Sequence, residues 1–345
     1  MAITRLLTTE DHEAWRALLA DTHLGDVYHH PGYLATLAAR GEGEPLLFVF
    51  ESEQGRGLHA VLKRPLADLP FPHAFRDGFD AVSPYGYAGP VLESPAIAEV
   101  FWDRWSDAAQ QLGIVSEFVR FHPLLANHAA CAGLFDITQA GRTIWMDLAD
   151  DPWQTVSKSR RRDAGYAQRQ GVKVESVGLE HLSSFVRLYQ ETMTRVDATG
   201  YYFFDEAYFA ALADGLGDDF RLVRAHLDGT DCAYALCLRH GERLHYHLSC
   251  TAEAMSHTRA VNLLLIETAV MARDAGLTQF HLGGGYRGED SLFDFKSHFS
   301  PQRSPFFVGR VVHDETAVSA LTGKAKAAGV VMNDSSFFPP YRSGR

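Results

Sequence analysis

The hydrophobic and polar positions of the second half of the chain follow two different periods in succession. Three runs rich in strand-forming side chains come first, separated by the turn signals Asp228-Gly229 and His240-Gly241. These runs are 220–225, 232–239 and 243–249. Apolar side chains then recur over 261–272 at the spacing of one helical face, and Gly276 is a natural end for that helix. Residues 278–282 show one more strand pattern, so we predict an antiparallel meander, a helix and a strand.

The first half repeats this order in weaker form. Its two paired strand patterns, its helix pattern and its last strand pattern are 46–51, 58–63, 100–112 and 115–121. We interpret the recurrence as a tandem duplication; a chance recurrence of common elements is the alternative. The boundary is expected at Asp150-Asp151-Pro152, which gives domains of residues 1–150 and 151–345. Residues 306–312 predict a further strand, and the sequence leaves open whether the tail after Gly323 packs back on the first domain.

These patterns predict an α/β (α+β) fold with two tandem domains, each a mixed, mostly antiparallel sheet flanked by helices. The length of 345 residues suits two medium domains, and 46% hydrophobic with 22% charged residues is typical of a folded soluble chain. No run approaches the roughly 18 to 20 apolar residues of a membrane span. The first residues lack a signal-peptide pattern, so we expect a cytoplasmic protein without a membrane span. The four cysteines form no C-x-x-C pair and are expected to be buried thiols.

A basic cluster stands out in a chain of net charge −11, which disfavours nucleic-acid binding by the whole surface but not by one patch. The cluster contains Lys158, Arg160, Arg161 and Arg162 on a predicted helix. Arginine forks suit phosphate oxygens, so a phosphate-binding helix is one interpretation. A solvated helix face that balances nearby acidic residues is the other.

Two neighbouring segments near residue 290 could carry chemistry. Lys296 lies between Phe295 and Phe299, where its cation could steady an oxyanion or a terminal phosphate. A surface lysine beside two core phenylalanines is the alternative. Gly283, Gly284 and Gly285 directly follow a strand and allow a ligand to approach the backbone closely, although a plain loop is equally compatible.

Other candidate motifs are weaker. Tyr85 and Tyr87 lie in a turn-rich stretch and could line a substrate groove or simply stabilise a turn. His245, His247 and His281 could approach one another on adjacent strands, but no acidic or cysteine partner has metal-ligand spacing, so we predict no metal site. The chain has no Gly-x-Ser-x-Gly elbow, no Walker loop and no dinucleotide fingerprint.

Taken in order, these segments resemble the Fem family of aminoacyl-tRNA-dependent peptidyltransferases, which are tandem GNAT-fold enzymes. The resembling segments are Tyr-Gly-Tyr-Ala-Gly-Pro (85–90), Lys-Ser-Arg-Arg-Arg (158–162), Thr-Met-Thr-Arg (192–195), Tyr-Phe (208–209), Arg-Asp-Ala-Gly (273–276), His-Leu-Gly-Gly-Gly (281–285) and Phe-Lys (295–296). The similarity is looser before Leu46. It implies two GNAT-like acyltransferase domains.

The resemblance also implies roles for particular residues. Phe295 and Lys296 would contact the charged end of a tRNA, together with the basic helix and the three glycines. The resemblance implies that no residue acts as a dedicated general base. Asp205, Glu206 and Asp290 remain candidates for accepting an amine proton. The tyrosines Tyr85, Tyr87, Tyr201 and Tyr202 are candidates for binding the acceptor.

Two departures from related enzymes refine the predicted substrates. No Lys or Arg occurs from Val196 through Phe220, where cell-wall members of the family bind a diphosphate, so a small, neutral or apolar amine is favoured. Residues 255–261 lack the glycines with which acyl-CoA-dependent GNAT enzymes hold pyrophosphate. We therefore predict an aminoacyltransferase that uses charged tRNA as co-substrate, without a further cofactor, and acylates a natural-product or peptidyl amine. An acyl-CoA-dependent N-acyltransferase is the alternative.

Overall fold

A computed structural model describes residues 2–22, 24–286, 288–330 and 337–343. It divides the chain into two compact units, Met1–Ala140 with Phe306–Arg345, and Gly141–Pro305. The break falls ten residues before the expected boundary because one strand, Asp136–Asp147, continues from the first unit into the second. The last forty residues return to the first unit rather than extending the second, since the strand Arg303–Val312 pairs with a strand of the first unit.

Strands and helices alternate along the chain. The strands are β1 (Ile3–Leu7), β2 (Glu44–Ser52), β3 (Gly55–Pro65), β4 (Phe79–Val82), β5 (Val91–Leu92), β6 (Ile114–Arg120), β7 (Asp136–Asp147), β8 (Lys173–Val177), β9 (Phe220–Leu227), β10 (Thr230–His240), β11 (Arg243–Thr251), β12 (Gln279–Gly283) and β13 (Arg303–Val312). The helices are α1 (His12–Thr22), α2 (Pro31–Ala39), α3 (Ala98–Gln111), α4 (Pro152–Thr155), α5 (Lys158–Arg169), α6 (Leu182–Arg195), α7 (Glu206–Leu216), α8 (Ala260–Asp274), α9 (Ser291–Ser297) and α10 (Glu315–Ala327).

The first unit contains a sheet in the order β1-β2-β3-β4-β6-β13, with β5 on β3. All pairs are antiparallel except β4 with β6. Helix α3 links these two parallel strands through the chain and buries Phe101 and Trp105 against the sheet. The repeated order of strands, helix and strand predicted for the first half is confirmed.

The tail packs on the first unit, which answers the question that the sequence left open. Tyr341 is buried, and its hydroxyl lies 2.8 Å from Ser116 Oγ. Arg342 donates to the buried Asp80 carboxylate and, at 2.9 Å, to the Pro65 carbonyl. Arg64 donates to the other oxygen of Asp80 at 2.6 Å. Residues 337–343 are thus held by buried charges as well as by apolar contact.

The second unit contains a sheet in the order β7-β12-β11-β10-β9-β8, in which only β11 and β12 run parallel. The meander β9-β10-β11, helix α8 and strand β12 confirm the prediction made from residues 220–282. Small side chains on one face of β10 (Ala233, Ala235, Cys237) lie in one core with α5 and α8. Since strand side chains alternate, Tyr234 points to the other face, where its ring meets Phe185 of α6. Helices therefore cover both faces of this sheet.

The fold also bears on two further predictions. All four cysteines are buried and free, as expected, and burial raises the pKa of the Cys131 thiol to about 12. None of the helices in the described part of the chain combines the length and apolar character that crossing a membrane requires.

Candidate functional site

The sheet of the second unit opens between two parallel strands. Strands β11 and β12 pair only from Arg243 opposite Gln279 to His245 opposite His281. Beyond this point β11 continues to Thr251, paired with β10, and β12 continues to Gly283, paired with β7. The two strands therefore diverge and leave a gap in the sheet that begins at His245 and His281.

Irregularities in both strands mark the same gap. The register between β10 and β11 skips His247, and the register between β12 and β7 skips Leu282. Such bulges bend a strand and are frequent beside active sites, where they redirect side chains. Burial lowers the pKa of His247 to about 3, so this imidazole is neutral at physiological pH.

His245 and His281 meet where the gap begins. Both side chains are buried, and their Nδ1 atoms are 3.2 Å apart. His245 is followed by Tyr246, which points to the opposite face of the sheet because consecutive strand residues alternate. Tyr246 belongs to the core that contains α5 and α8, so the histidine pair faces the side of α6 and α7.

The glycine loop after β12 is a close-packed turn. Gly283 has φ +75°, a conformation that favours glycine. A Cβ atom on Gly285 would come within 2.2 Å of the Gly288 carbonyl oxygen and 2.3 Å of Asp290 Oδ1. A Cβ atom on Gly284 would lie 3.0 Å from the Arg142 carbonyl oxygen. Arg287, which lies in this loop, is outside the described residues.

Asp290 holds the loop and begins α9. Its Oδ1 accepts hydrogen bonds from Leu292 N and Phe293 N at 3.0 Å each, and its Oδ2 accepts one from Tyr286 N at 2.8 Å. A carboxylate that caps a helix and binds a turn in this way is already engaged. The geometry therefore supports a positioning role for Asp290 over the proton-accepting role that the sequence suggested.

Lys296 lies on α9 and is buried, and its ammonium reaches back to the glycine loop. Its Nζ donates to the Gly284 carbonyl at 2.8 Å and lies 5.9 Å from the centre of the Tyr246 ring. Burial lowers the pKa of Lys296 to about 8, and the Asp290 carboxylate opposes part of that shift. The interpretation as a surface lysine is wrong, because this side chain is 8% exposed. Lys296 lies on the Tyr246 side of the sheet, opposite the histidine pair.

Phe295 points away from Lys296 toward helix α5. Its ring lies 4.7 Å from the Arg160 guanidinium carbon and 5.2 Å from the Phe299 ring. Arg160 also donates to Asn262 Oδ1 at 3.3 Å. Phe295 and Arg160 therefore join α5, α8 and α9 in the structure of the unit, and neither side chain stands beside the Lys296 ammonium.

The basic helix divides into inward and outward cations. Arg161 donates to the backbone carbonyls of Gln154 and Val156, at 2.8 and 3.3 Å, and so fixes the start of the helix. Lys158 and Arg162 are exposed, the Arg162 side chain to 73%. The sequence could not separate the two groups because all four residues lie on a single turn and a half of helix.

Helix α8 begins with a closed turn at the position where acyl-CoA enzymes of this fold bind pyrophosphate. Arg259 adopts a left-handed conformation, with φ +57°, and donates to Asp163 Oδ1 at 2.7 Å. The first amides bond within the turn: Ala260 N to Thr258 Oγ1 at 3.3 Å and Asn262 N to the Arg259 carbonyl at 3.1 Å. Both donors therefore already have acceptors in the protein.

The acceptor candidates separate by unit. Tyr202 contacts the Tyr286 ring of the glycine loop at 5.9 Å, and Tyr201 packs on Tyr202 at 5.3 Å. Tyr201 and Tyr286 are exposed, so this aromatic group is accessible. Tyr85 and Tyr87 lie in the first unit. The Tyr85 carbonyl accepts from the Tyr33 hydroxyl at 2.7 Å. The Tyr87 ring packs on Tyr28.

The remaining acidic candidates are exposed and engaged in helix contacts. Asp205 accepts from Tyr208 N at 2.8 Å as the cap of α7. Glu206 accepts from Ser183 Oγ at 2.7 Å. The sequence suggested that His245 and His281 could approach one another on neighbouring strands, and the structure brings their rings together.

Comparisons with known proteins agree with this architecture. Residues 155–297 match the family model of an acetyltransferase (GNAT) domain. The crystal structure of FemX matches with a TM-score of 0.69 and 13% identity, over 92% of this chain and 99% of that chain. L-PGS from Bacillus licheniformis matches with a TM-score of 0.55 and 13% identity, over 93% of this chain and 98% of that chain. No curated protein sequence matches this chain.

A third similar structure is the C-terminal domain of a protein assigned as a lysylphosphatidylglycerol synthetase from Agrobacterium fabrum. Its TM-score is 0.54 and its identity 15%, over 92% of this chain and 96% of that chain. These likenesses show that the chain has a Fem-like GNAT fold, as predicted. The residues that match the family model lie within the second unit.

Proposed function

We propose that this protein transfers an aminoacyl group from charged tRNA to an amine and so forms an amide bond. The observation that carries the proposal is the gap between β11 and β12, with Lys296 buried on one face of the sheet. At the start of α8, the amides of Ala260 and Asn262 are bonded within the protein. Exposed cations lie on α5 on the same side as Lys296. The fold of FemX and the sequence resemblance to Fem enzymes support this reading.

The donor side is the face that carries α5 and α8. Lys158 and Arg162 are exposed there, and Arg259 is half-exposed at the start of α8. Phosphate contacts of this kind supply most of the affinity of a protein for nucleic acid. A local basic face therefore makes tRNA binding compatible with the net charge of −11.

The closed start of α8 argues against acyl-CoA. A helix N-terminus binds phosphate through amides that point outward without partners. Here the amides of Ala260 and Asn262 are bonded within the turn, and no glycine allows a pyrophosphate to approach. The family description of an acetyltransferase domain favours acyl-CoA as the second candidate donor.

Little chemistry is required of the protein once both substrates are bound. The amine nitrogen attacks the ester carbonyl carbon, the bond to the ribose oxygen breaks, and one proton passes from nitrogen to that oxygen. Positioning and stabilisation of the developing oxyanion can supply most of the rate. We assign stabilisation of the oxyanion, or binding of the terminal phosphate, to the Lys296 ammonium. This ammonium donates a hydrogen bond to the Gly284 carbonyl.

The acceptor side is the face that carries α6 and α7. Tyr201 and Tyr202 adjoin Tyr286 there, and no Lys or Arg occurs from Val196 through Phe220. Aromatic rings attract apolar groups and ammonium ions but give a phosphate no counter-charge. The acceptor is therefore an amine that carries an apolar or aromatic group. Phenethylamine is a suitable probe, and phosphoethanolamine is the matched control amine that carries a phosphate.

Donor binding tests the proposal directly. Titration with alanyl-tRNA whose alanine is joined by a stable amide, and with acetyl-CoA, at low and moderate salt separates the two donors. We expect salt-sensitive binding of the tRNA and none of acetyl-CoA. Tight binding of acetyl-CoA without tRNA binding would replace the proposal by an acyl-CoA N-acyltransferase.

A further inference from the structure

The histidine pair at the start of the gap has no place in the chemistry described so far. His245 and His281 are paired across the last step of the parallel ladder, and each is 1% exposed. An Nδ1–Nδ1 separation of 3.2 Å requires one ring to donate and the other to accept. The two rings therefore share one hydrogen bond along which a proton can pass from one to the other.

The pair lies on the face of the sheet that we assign to the acceptor. His245 is opposite Leu238 in the ladder and shares its face of the sheet, which carries α6 and α7. The aromatic group of Tyr201 and Tyr202 belongs to the segment between these helices. Lys296, near Tyr246, lies on the other face. The histidines therefore lie where β11 and β12 part, on the same face of the sheet as α6 and α7.

The carboxylates that the sequence suggested for accepting the amine proton are engaged elsewhere. Asp290 accepts hydrogen bonds from three backbone amides, and Asp205 caps α7. Glu206 accepts a hydrogen bond from the Ser183 hydroxyl. Asp205 and Glu206 are exposed and Asp290 is half-buried, whereas the histidine pair is buried. A buried base keeps its proton close to the reacting atoms and away from water.

We propose that His245 and His281 act as a proton relay in amide formation, accepting the proton of the attacking amine and returning it to the leaving ribose oxygen. The inference rests on the function proposed above. One nitrogen–carbon bond forms and one carbon–oxygen bond breaks. The proton that leaves nitrogen ends on the ribose hydroxyl, so the pair regains its starting state and no further reactant is needed.

Single-turnover transfer from alanyl-tRNA to phenethylamine tests the relay. We expect His281→Gln and His245→Gln to lower the transfer rate by about 100-fold or more, the range of a lost general base. Binding of the amide-linked tRNA should be unchanged. His226→Gln is a matched control, because His226 lies on β9 of the same sheet and pairs with the exposed Glu175.

Chemical rescue distinguishes proton transfer from a structural role. Imidazole and related small bases should restore the rate of His281→Ala in proportion to their basicity, and should leave the wild-type rate unchanged. Thermal unfolding checks that each variant folds. If His281→Ala does not fold, the rate of folded His281→Gln relative to His226→Gln carries the test.

The outcomes separate the two proposals. Wild-type transfer with glutamine variants within about threefold of the wild-type rate would overturn the relay and leave the proposed function intact. A folded alanine variant that loses activity and is rescued by no base would give the pair a structural role only. A wild-type protein that transfers alanine to no amine would overturn the proposed function and the relay with it.

Discussion

Each unit contains an equivalent pair of parallel strands. The pair stays joined in the first unit and separates in the second. In the first unit β4 and β6 stay joined past their ladder: Ser83 N donates to the Phe118 carbonyl at 2.9 Å, and Ala88 N donates to the Arg120 carbonyl at 2.8 Å. In the second unit β11 and β12 separate after three pairs. The same order of elements therefore gives a closed sheet in one unit and an open one in the other.

Side chains explain why the first unit closes. Ser83 Oγ accepts from Arg120 N at 2.9 Å. Asn127 Nδ2 donates to the carbonyls of Ala88 and Pro90 at 2.8 and 2.9 Å. A Cβ atom on Gly86 would lie 2.2 Å from the Tyr28 ring. The stretch that contains Tyr85 and Tyr87 is thus fixed by the fold, which supports its alternative interpretation as a structural turn.

The comparison assigns stability to the buried charges of the first unit and chemistry to those of the second. The largest expected effect follows from Asp80→Ala, which leaves Arg342 buried without its carboxylate and removes a partner of Arg64. Loss of one partner of a buried pair costs about 3–5 kcal/mol. We expect the free energy of unfolding in urea to fall by that amount, while transfer per folded molecule is kept. Asp136→Ala, at an exposed pair with Arg310, is the control.

Equal loss of stability in the two variants would show that the Asp80 cluster does not hold the tail. A loss of transfer in folded Asp80→Ala protein would break the division of roles between the units.

The next effect concerns the open end of the second unit. Lys296→Met removes the buried ammonium but keeps an apolar chain of similar length. We expect the single-turnover rate to fall about 10²–10³-fold, as when one oxyanion donor is lost. The melting temperature should change little, since the change costs one hydrogen bond but relieves a buried charge. Lys326→Met, on the exposed face of α10, should have the wild-type rate. Full activity of Lys296→Met would remove this residue from the site.

A smaller effect tests the outward cations of α5. Lys158→Glu combined with Arg162→Glu should weaken tRNA binding about tenfold or more. It should also reduce the slope of log K against log salt by about 1.4 to 1.8, since each of two lost phosphate contacts contributes about 0.7 to 0.9. Lys324→Glu with Lys326→Glu makes the same charge change on α10 of the first unit. Fluorescence anisotropy across a salt series measures both. An unaltered slope in the α5 variant would show that Lys158 and Arg162 do not contact the phosphates of tRNA.

The smallest effect is a pH dependence. Burial lowers the pKa of Lys296 to about 8, so the ammonium is present below this pH and is lost as the pH rises through it. Affinity for the amide-linked alanyl-tRNA should therefore fall several-fold between pH 7 and 9. Lys296→Arg keeps its charge throughout this range and should bind independently of pH. A wild-type affinity that stays constant to pH 9 would contradict a charge-dependent contact.

The same shift has a consequence for stability. The unfolded chain binds the lysine proton more tightly than the folded one between pH 8 and 10.5. The contribution of Lys296 to folding thus becomes more favourable as the pH rises through this window.

Periodicity predicted the central strands and the central helix of both units. The meander from Phe220, helix α8 and strand β12 were predicted within a few residues, because a long apolar helix face and turn signals are local features. The return of β13 to the first unit was not predicted, since strand pairing over almost two hundred residues leaves no local signal. The Fem-like fold was recognised from short segments. Their order along the chain was more distinctive than the amino acids within each segment.

The candidate site was predicted less completely. The sequence placed Lys296 and the glycines in one loop, but it could not show that Lys296 is buried or that Phe295 turns toward Arg160. Neither could it show Asp290 as a helix cap, because a carboxylate before an apolar run suits both catalysis and capping. The histidine pair depends on the register of two strands separated by a helix, and only the structure gives that register.

Amide formation with both donors offered together tests the central claim most directly. Wild-type protein is incubated with alanyl-tRNA, acetyl-CoA and phenethylamine, and the amide products are identified by mass spectrometry. The account predicts alanyl-phenethylamide, its loss in Lys296→Met, and no acetyl product. Acetyl-phenethylamide as the only product would contradict it and make acyl-CoA the donor.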